Sequence, residues 1–155
     1  MSSVQKLYGG IEMSYAVYSL ADTRTVLYHP NVGQANLHLC GRGKMVISYS
    51  GDLSLHTTTA DGYVVVNKLK SENGIITLEV PQNSIADDFL SKFARYLKNC
   101  DSSRFCLGTL TVYDTAGNRT IHMTGVTVQK APDRTYDRTS TNLTYTLLAA
   151  NIMEQ

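Results

Sequence analysis

The chain has 155 residues, with 14 Lys and Arg against 13 Asp and Glu and a formal net charge of +1, a balance that excludes nucleic-acid binding by charge alone. One domain of this length buries about two thirds of the surface its unfolded form exposes, so folding needs no disulfides. The odd count of three cysteines (Cys40, Cys100, Cys106) and an N-terminus without the apolar core of a signal peptide point to a reducing cytosol, and the longest apolar stretch, Leu147 to Ala150, is far short of the ~18 residues that cross a bilayer.

Ten Tyr, no Trp and only three Pro, among many Thr and Val, favour strands over helices. Met13 to Leu20 and Arg24 to Tyr28 read as strands joined by a turn at Ala21-Asp22-Thr23. From Asn31 to Gly43 the pattern loosens into a loop punctuated by Gly33, Gly41 and Gly43. Lys44 to Tyr49 is a strand with Met45, Ile47 and Tyr49 inward, and a polar strand follows from Leu53 to Thr59. Tyr63 to Asn67 and Ile75 to Val80 form a hairpin around Asn73-Gly74, the second strand alternating Ile76, Leu78 and Val80 against Thr77 and Glu79.

Ser84 then caps a helix, with Asp87 reaching back in a short capping box and Pro81 just upstream. Ile85, Ala86, Phe89, Leu90, Phe93, Tyr96 and Leu97 fall in an arc about 140° wide, opposite Asp87, Asp88, Lys92, Arg95 and Lys98. Acids in the first turn and bases later suit the macrodipole, and Asp88 and Lys92 are spaced as an i,i+4 pair. The helix ends at Asn99 to Ser103. Phe105 to Tyr113 and Arg119 to Gln129 are long strands joined through Asp114 to Asn118. Lys130 to Asn142 is a polar connection, long for a compact domain, and Leu143 to Ile152 is the closing strand. These elements predict a mainly β fold: a single domain over residues 1–155, an antiparallel β-sandwich or barrel with one flanking α-helix.

Catalytic patterns are weak. A thiol enzyme would need Cys100 or Cys106 beside His29, His38, His56 or His122, and no spacing supports the pairing; Cys106 reads as a small apolar core residue of a strand. No Cys or His pair has zinc-ligand spacing. Gly41-Arg42-Gly43-Lys44 lacks the Lys-Ser/Thr ending of a phosphate loop and opens a strand instead of a helix. No catalytic residue, metal or cofactor is indicated.

The order of the pieces is more informative. Ala60-Asp61-Gly62 precedes a Val-rich strand; Asn73 to Val80 leads through Gln82-Asn83-Ser84 into the helix; the Asp114 to Asn118 turn, Gln129 to Asp133 and the Leu- and Ala-rich stretch Leu147 to Ile152 follow. From about Leu39 onward this order resembles the phage structural family that includes the tail-tube subunits of contractile bacteriophages; residues 1–38 carry no motif of it. The resemblance implies a non-enzymatic virion protein, made and assembled in the host cytoplasm, that forms hexameric rings stacked into a hollow tube inside a contractile sheath. Its implied partners are copies of itself and the sheath, baseplate and tail terminator proteins. Tape measure protein and DNA would pass through the lumen without sequence-specific binding and without a membrane partner.

Edge strands that pair between neighbours would complete such rings. A lumen that conducts DNA should be polar without dense Lys or Arg, which makes Ser54, His56 and Thr58 candidates to face it. In the long connection, Asp133, Arg134, Tyr136, Asp137 and Arg138 are candidates for contacts between rings, and reversing Arg134 and Arg138 to Glu is expected to leave the subunit's melting point nearly unchanged. Two other readings fit the same residues: a ring-forming tube or tube-end protein of another contractile injection system, and a small β-rich ligand-binding module displaying tyrosines.

Overall fold

The computed structural model describes residues 18–155 together with the paired backbones of Leu7–Tyr8 (β1) and Ile11–Glu12 (β2). Most of the strand expected from Met13 to Leu20 lies outside the described residues; its last residue, Leu20, instead opens a 3-10 turn (Leu20–Asp22) at the expected turn, capped by Ser19, whose hydroxyl accepts from the Ala21 N–H at 3.2 Å. Then come β3 (Thr23–His29), β4 (Gly33–Asn36), a second 3-10 turn (Leu37–Leu39), β5 (Met45–Tyr49), β6 (Ser54–Thr58), β7 (Val64–Lys68) and β8 (Gly74–Pro81). Helices α1 (Ile85–Asn99) and α2 (Ser102–Phe105) lead into β9 (Gly108–Asp114), β10 (Arg119–Lys130), β11 (Asn142–Ala149) and β12 (Asn151–Glu154).

Eight strands join in one antiparallel sheet, ordered β4-β3-β9-β10-β11-β8-β5 with β12 also paired to β10. Strand β10 organises it. Its first part pairs β9 on one side and β12 on the other, while its last part pairs β11. The change falls at Gly125, where the β9 register shifts and φ is +64°; a Cβ there would lie 2.6 Å from the Ala150 Cβ. Such a bulge bends a strand and sharpens its twist, and only glycine fits both the backbone and the space. The far end of the sheet returns toward β12: the Ile152 N–H donates to the Glu72 carbonyl at 2.6 Å, and the Tyr49 hydroxyl donates to Glu154, which also pairs with Arg119. Inside, Leu27, Leu78, Leu90, Leu110, Met123 and Tyr145 belong to one buried cluster drawn from β3, β8, α1, β9, β10 and β11.

The mainly β architecture with one principal helix is as expected, and β8 and β11 alternate buried and exposed residues as a strand covered on one face requires. Several local readings change, among them Tyr49, which is half exposed instead of inward, and the closing stretch Leu143 to Ile152, which splits at Ala150 into β11 and β12. Strand β7 pairs with β6, whereas β8 lies between β5 and β11, so the expected hairpin around Asn73-Gly74 does not form. Phe105 ends a short helix instead of opening a strand, which leaves Cys106 exposed instead of in the core. The expected loop from Asn31 to Gly43 contains β4 and a turn that buries Leu37. In α1 the buried side chains are Ala86, Asp87, Leu90, Phe93 and Leu97, whereas Ile85 is exposed, so the buried face is turned away from Ile85 and toward Asp87 relative to the expected arc.

Candidate assembly surfaces

Strands β6 and β7 form a two-stranded hairpin separate from the main sheet, with Ser54 opposite Lys68 and Thr58 opposite Val64. All ten of their residues are exposed. A small hairpin alone is marginal in water, and this one displays Leu55, Val64, Val65 and Val66, flanked by Leu53 and Tyr63, without burying them in its own chain. Polarity is divided by strand more than by face. Ser54, His56 and Thr58 share a face with Val64 and Val66, but the polar residues crowd on β6 and the apolar ones on β7.

The connection between β10 and β11, residues 131–141, is held on α1 by a buried network. Asp87 is 1 % exposed. Its Oδ1 accepts from the Tyr145 hydroxyl at 2.7 Å and from Arg134 Nη2 at 2.9 Å, and its Oδ2 accepts from Arg134 Nη1 at 3.0 Å and from the Asn83 N–H at 2.9 Å. Ser91 Oγ accepts from Arg134 Nη2 at 2.7 Å and lies 2.9 Å from the Tyr145 hydroxyl. Every polar group of the cluster thus has a partner of the right sense. Burial works to raise the Asp87 carboxyl, but the hydrogen bonds from Arg134, Tyr145 and the Asn83 N–H outweigh it and hold the group below its ordinary value. The same residue completes the helix cap: the Asp87 N–H donates to Ser84 Oγ at 3.2 Å while the carboxylate reaches back to Asn83, one residue earlier than in the usual box.

The five loop residues singled out from the sequence therefore divide. Arg134 is committed to Asp87 within its own chain, whereas Asp133, Tyr136, Asp137 and Arg138 stand exposed, Tyr136 at 80 %. Reversing Arg134 would set a second carboxylate against Asp87, so the charge-reversal pair expected to spare the melting point will not do so; Arg138 alone is the appropriate silent surface probe. Among the described residues the ion pairs are Arg119–Glu154 and Arg134–Asp87, and the spacing of Asp88 and Lys92 produces none.

Three of the four histidines considered for catalysis have structural partners. His29 is fully buried, accepting from the Asn31 N–H at Nδ1 and donating from Nε2 to the Arg104 carbonyl, with its ring edge-on to Phe93 and Tyr96. His38 bonds the Thr25 backbone, His122 bonds Thr111, and His56 lies on the exposed hairpin. Arg42 of the glycine-rich loop donates to Thr25 Oγ1 and to the Thr23 carbonyl, and the Gly43 N–H donates to the Glu79 carbonyl at 2.8 Å, so that loop is a strut extending the β5–β8 pairing. Among the described residues the outermost strands of the main sheet, β4 and β5, are each paired on one backbone edge alone.

The family model of the bacteriophage PhiTE tail tube protein matches residues 16–155. Comparison with curated protein sequences finds no match. Among solved structures, the chain is similar to one in the sheath–tube complex of the PVC extracellular contractile injection system in its extended state, at 11 % identity and a TM-score of 0.57, over 88 % of this chain and 90 % of the other. A chain of the sheath/tube terminator of the same system matches at 10 % identity and a TM-score of 0.62, over 92 % and 99 % of the two chains. A chain of the anti-feeding prophage tube terminating cap matches at 9 % identity and 0.57, over 94 % of each. At these identities the likeness is one of fold.

Proposed function

The chain belongs to the bacteriophage PhiTE tail tube protein family, and we propose that it is the repeating subunit of a contractile tail's inner tube, closing into hexameric rings that stack around a channel for DNA. The observation that carries this reading is the β6–β7 hairpin, whose apolar side chains are exposed and have no cover among the described residues. Burying a large aliphatic side chain is worth about 1.5–3 kcal/mol, so several together favour association strongly even after its entropic cost. Strands β4 and β5 supply the edges through which neighbours in a ring would extend one another's sheets.

Within that assembly the hairpin face that carries Ser54, His56 and Thr58 lines the channel, and the opposite face, with Leu55 and Val65, meets protein. Asp133, Tyr136, Asp137 and Arg138 contribute contacts between rings, while Arg134 holds their loop in shape. Sheath, baseplate and terminator proteins are the external partners, the tape measure protein and DNA occupy the lumen, and the mature location is the virion tail. The role is structural, not catalytic.

Replacing Leu55 and Val65 together with Asp tests the reading, because both are exposed in the subunit and charge there affects folding little. The expected result is a monomer melting within a few degrees of the parent that no longer forms rings or tubes by electron microscopy. Tubes appearing at the parent's concentration would rule out the hairpin as the assembly element. The match to a terminator chain supports a second reading, a tube-end protein of a contractile injection system. Purified protein that stops at single rings would favour it over indefinite elongation.

A further inference from the structure

Residues 131–141 cross from β10 to β11 as a strap with open space on two sides. A cleft of about 560 Å³ lies toward α1, lined there by Ser91, Arg95 and Lys98, and a second of about 340 Å³ lies toward β11, lined by Leu143, Thr144 and Thr146; Ala131 and Pro132 border both. Among the described residues, every side-chain hydrogen bond from the strap to the rest of the chain comes from Arg134. Outside the strands, its backbone adds the bond from the Gln82 N–H to the Thr141 carbonyl, at 3.2 Å.

The carboxylate that receives Arg134 also builds the start of the helix. Asp87 Oδ2 accepts both from Arg134 Nη1 and from the Asn83 N–H. Asn83 stands at φ +64°, a left-handed conformation that costs an L residue free energy and persists where its surroundings fix it. The turn it makes places Ser84, whose hydroxyl accepts from the Asp87 N–H and whose carbonyl accepts from the Asp88 N–H. The Ala86 N–H donates to the Cys40 carbonyl at 3.0 Å. The leading N–H groups of a helix lack acceptors within it, so the first turn of α1 stays wound through these bonds and the position of Asp87.

We propose that the strap and the first turn of α1 open and close as one unit, joined at the Asp87 carboxylate, while the rest of the fold stays intact. The tube reading is not needed for this. When Arg134 lets go, Asp87 is left buried with less to hold it, and the Asn83 turn and the Ser84 cap lose their common support. Coupling of this kind is reciprocal: a molecule that grips the exposed Tyr136 or Arg138 steadies the helix start, and loss of the helix cap loosens the strap.

The test compares parent and Arg134→Gln by amide hydrogen exchange resolved by NMR, together with the rate of tryptic cleavage after Arg138 in the native protein. Exchange at Asn83, Ala86, Asp87 and Asp88 and cleavage after Arg138 should both rise by about tenfold or more, while amides of β9 and β10 keep the parent's rates. Faster cleavage with unchanged exchange at the helix start would show the strap moving alone and overturn the proposal. An equal rise at every amide would mean global loosening and overturn it as well, as would no change in either measurement. Ser84→Ala approaches the unit from its other side, keeps the ion pair, and decides the matter if Arg134→Gln does not fold. It should speed cleavage after Arg138 by about fivefold, the usual effect of a lost cap; cleavage at the parent's rate would refute the coupling.

Discussion

Replacing Phe93 with alanine is expected to cost about 3–5 kcal/mol and to lower the melting temperature by on the order of 10 °C. Phe93 is fully buried on α1. Its ring stands edge-on to His29, with centroids 5.6 Å apart, and lies over Gly108, where a Cβ would come within 3.1 Å of Phe93 Cζ. The site is packed to the backbone of β9 and cannot collapse readily around a smaller side chain, which is the condition under which truncation costs most. His29 cannot follow the vacated space, since both its ring nitrogens are tied to backbone groups. Lys92→Ala, on the adjacent exposed position of the same helix, should cost under ~0.5 kcal/mol in a urea melt. Equal losses for the two would mean that the buried face of α1 is misplaced.

Asp87→Asn should cost about 2–4 kcal/mol at neutral pH. The amide preserves the shape but presents a donor toward groups that already donate, Arg134, Tyr145 and the Asn83 N–H. Breaking a buried ion pair ordinarily costs more, but 31 % of the Arg134 side chain is exposed and solvent recovers part of its charge. The pH dependence follows from the depressed carboxyl. A group whose folded-state value lies below its unfolded one contributes fully above the unfolded value, about pH 4, and loses that contribution as pH falls through the folded one. The difference in urea midpoint between parent and variant should therefore be constant from pH 7 to 5 and shrink below about pH 4. A difference that stays the same down to pH 3 would dismiss the ion pair as its source.

What the sequence discloses and what it hides follow from the range of the interactions. The start of α1 is legible because Ser84 and Asp87 complete the cap within a few residues. The inward turn of Asp87 is not, because Arg134 and Tyr145 come from 47 and 58 residues away and no periodicity announces them. Strands β8 and β11 show their alternation, but not their partners. Asn73-Gly74 is a good turn signal, yet the structure uses it to bring the chain back to the sheet, with the Asn73 carbonyl accepting from Ser50 and the Glu72 carbonyl from Ile152. The hairpin reads as two ordinary strands; its separation from the main sheet and the exposure of all ten of its strand residues appear only in the fold. The family resemblance was carried by the order of weak signals, and order survives where individual contacts cannot be read.

The position of β11 bears on how the chain is made. Strand β8 ends at Pro81 and β11 begins at Asn142, 61 residues later, yet β11 lies between β8 and β10 and bonds to both. At about 5–20 residues per second, a ribosome exposes β8 for roughly 3–12 s before the strand that covers it has been synthesised. During that interval β8 has β5 as its strand partner, and the strand that will join it to β10 is missing, so the eight-stranded sheet is not yet continuous. Under the proposed assembly, a subunit becomes competent to join its neighbours only after translation has passed β11.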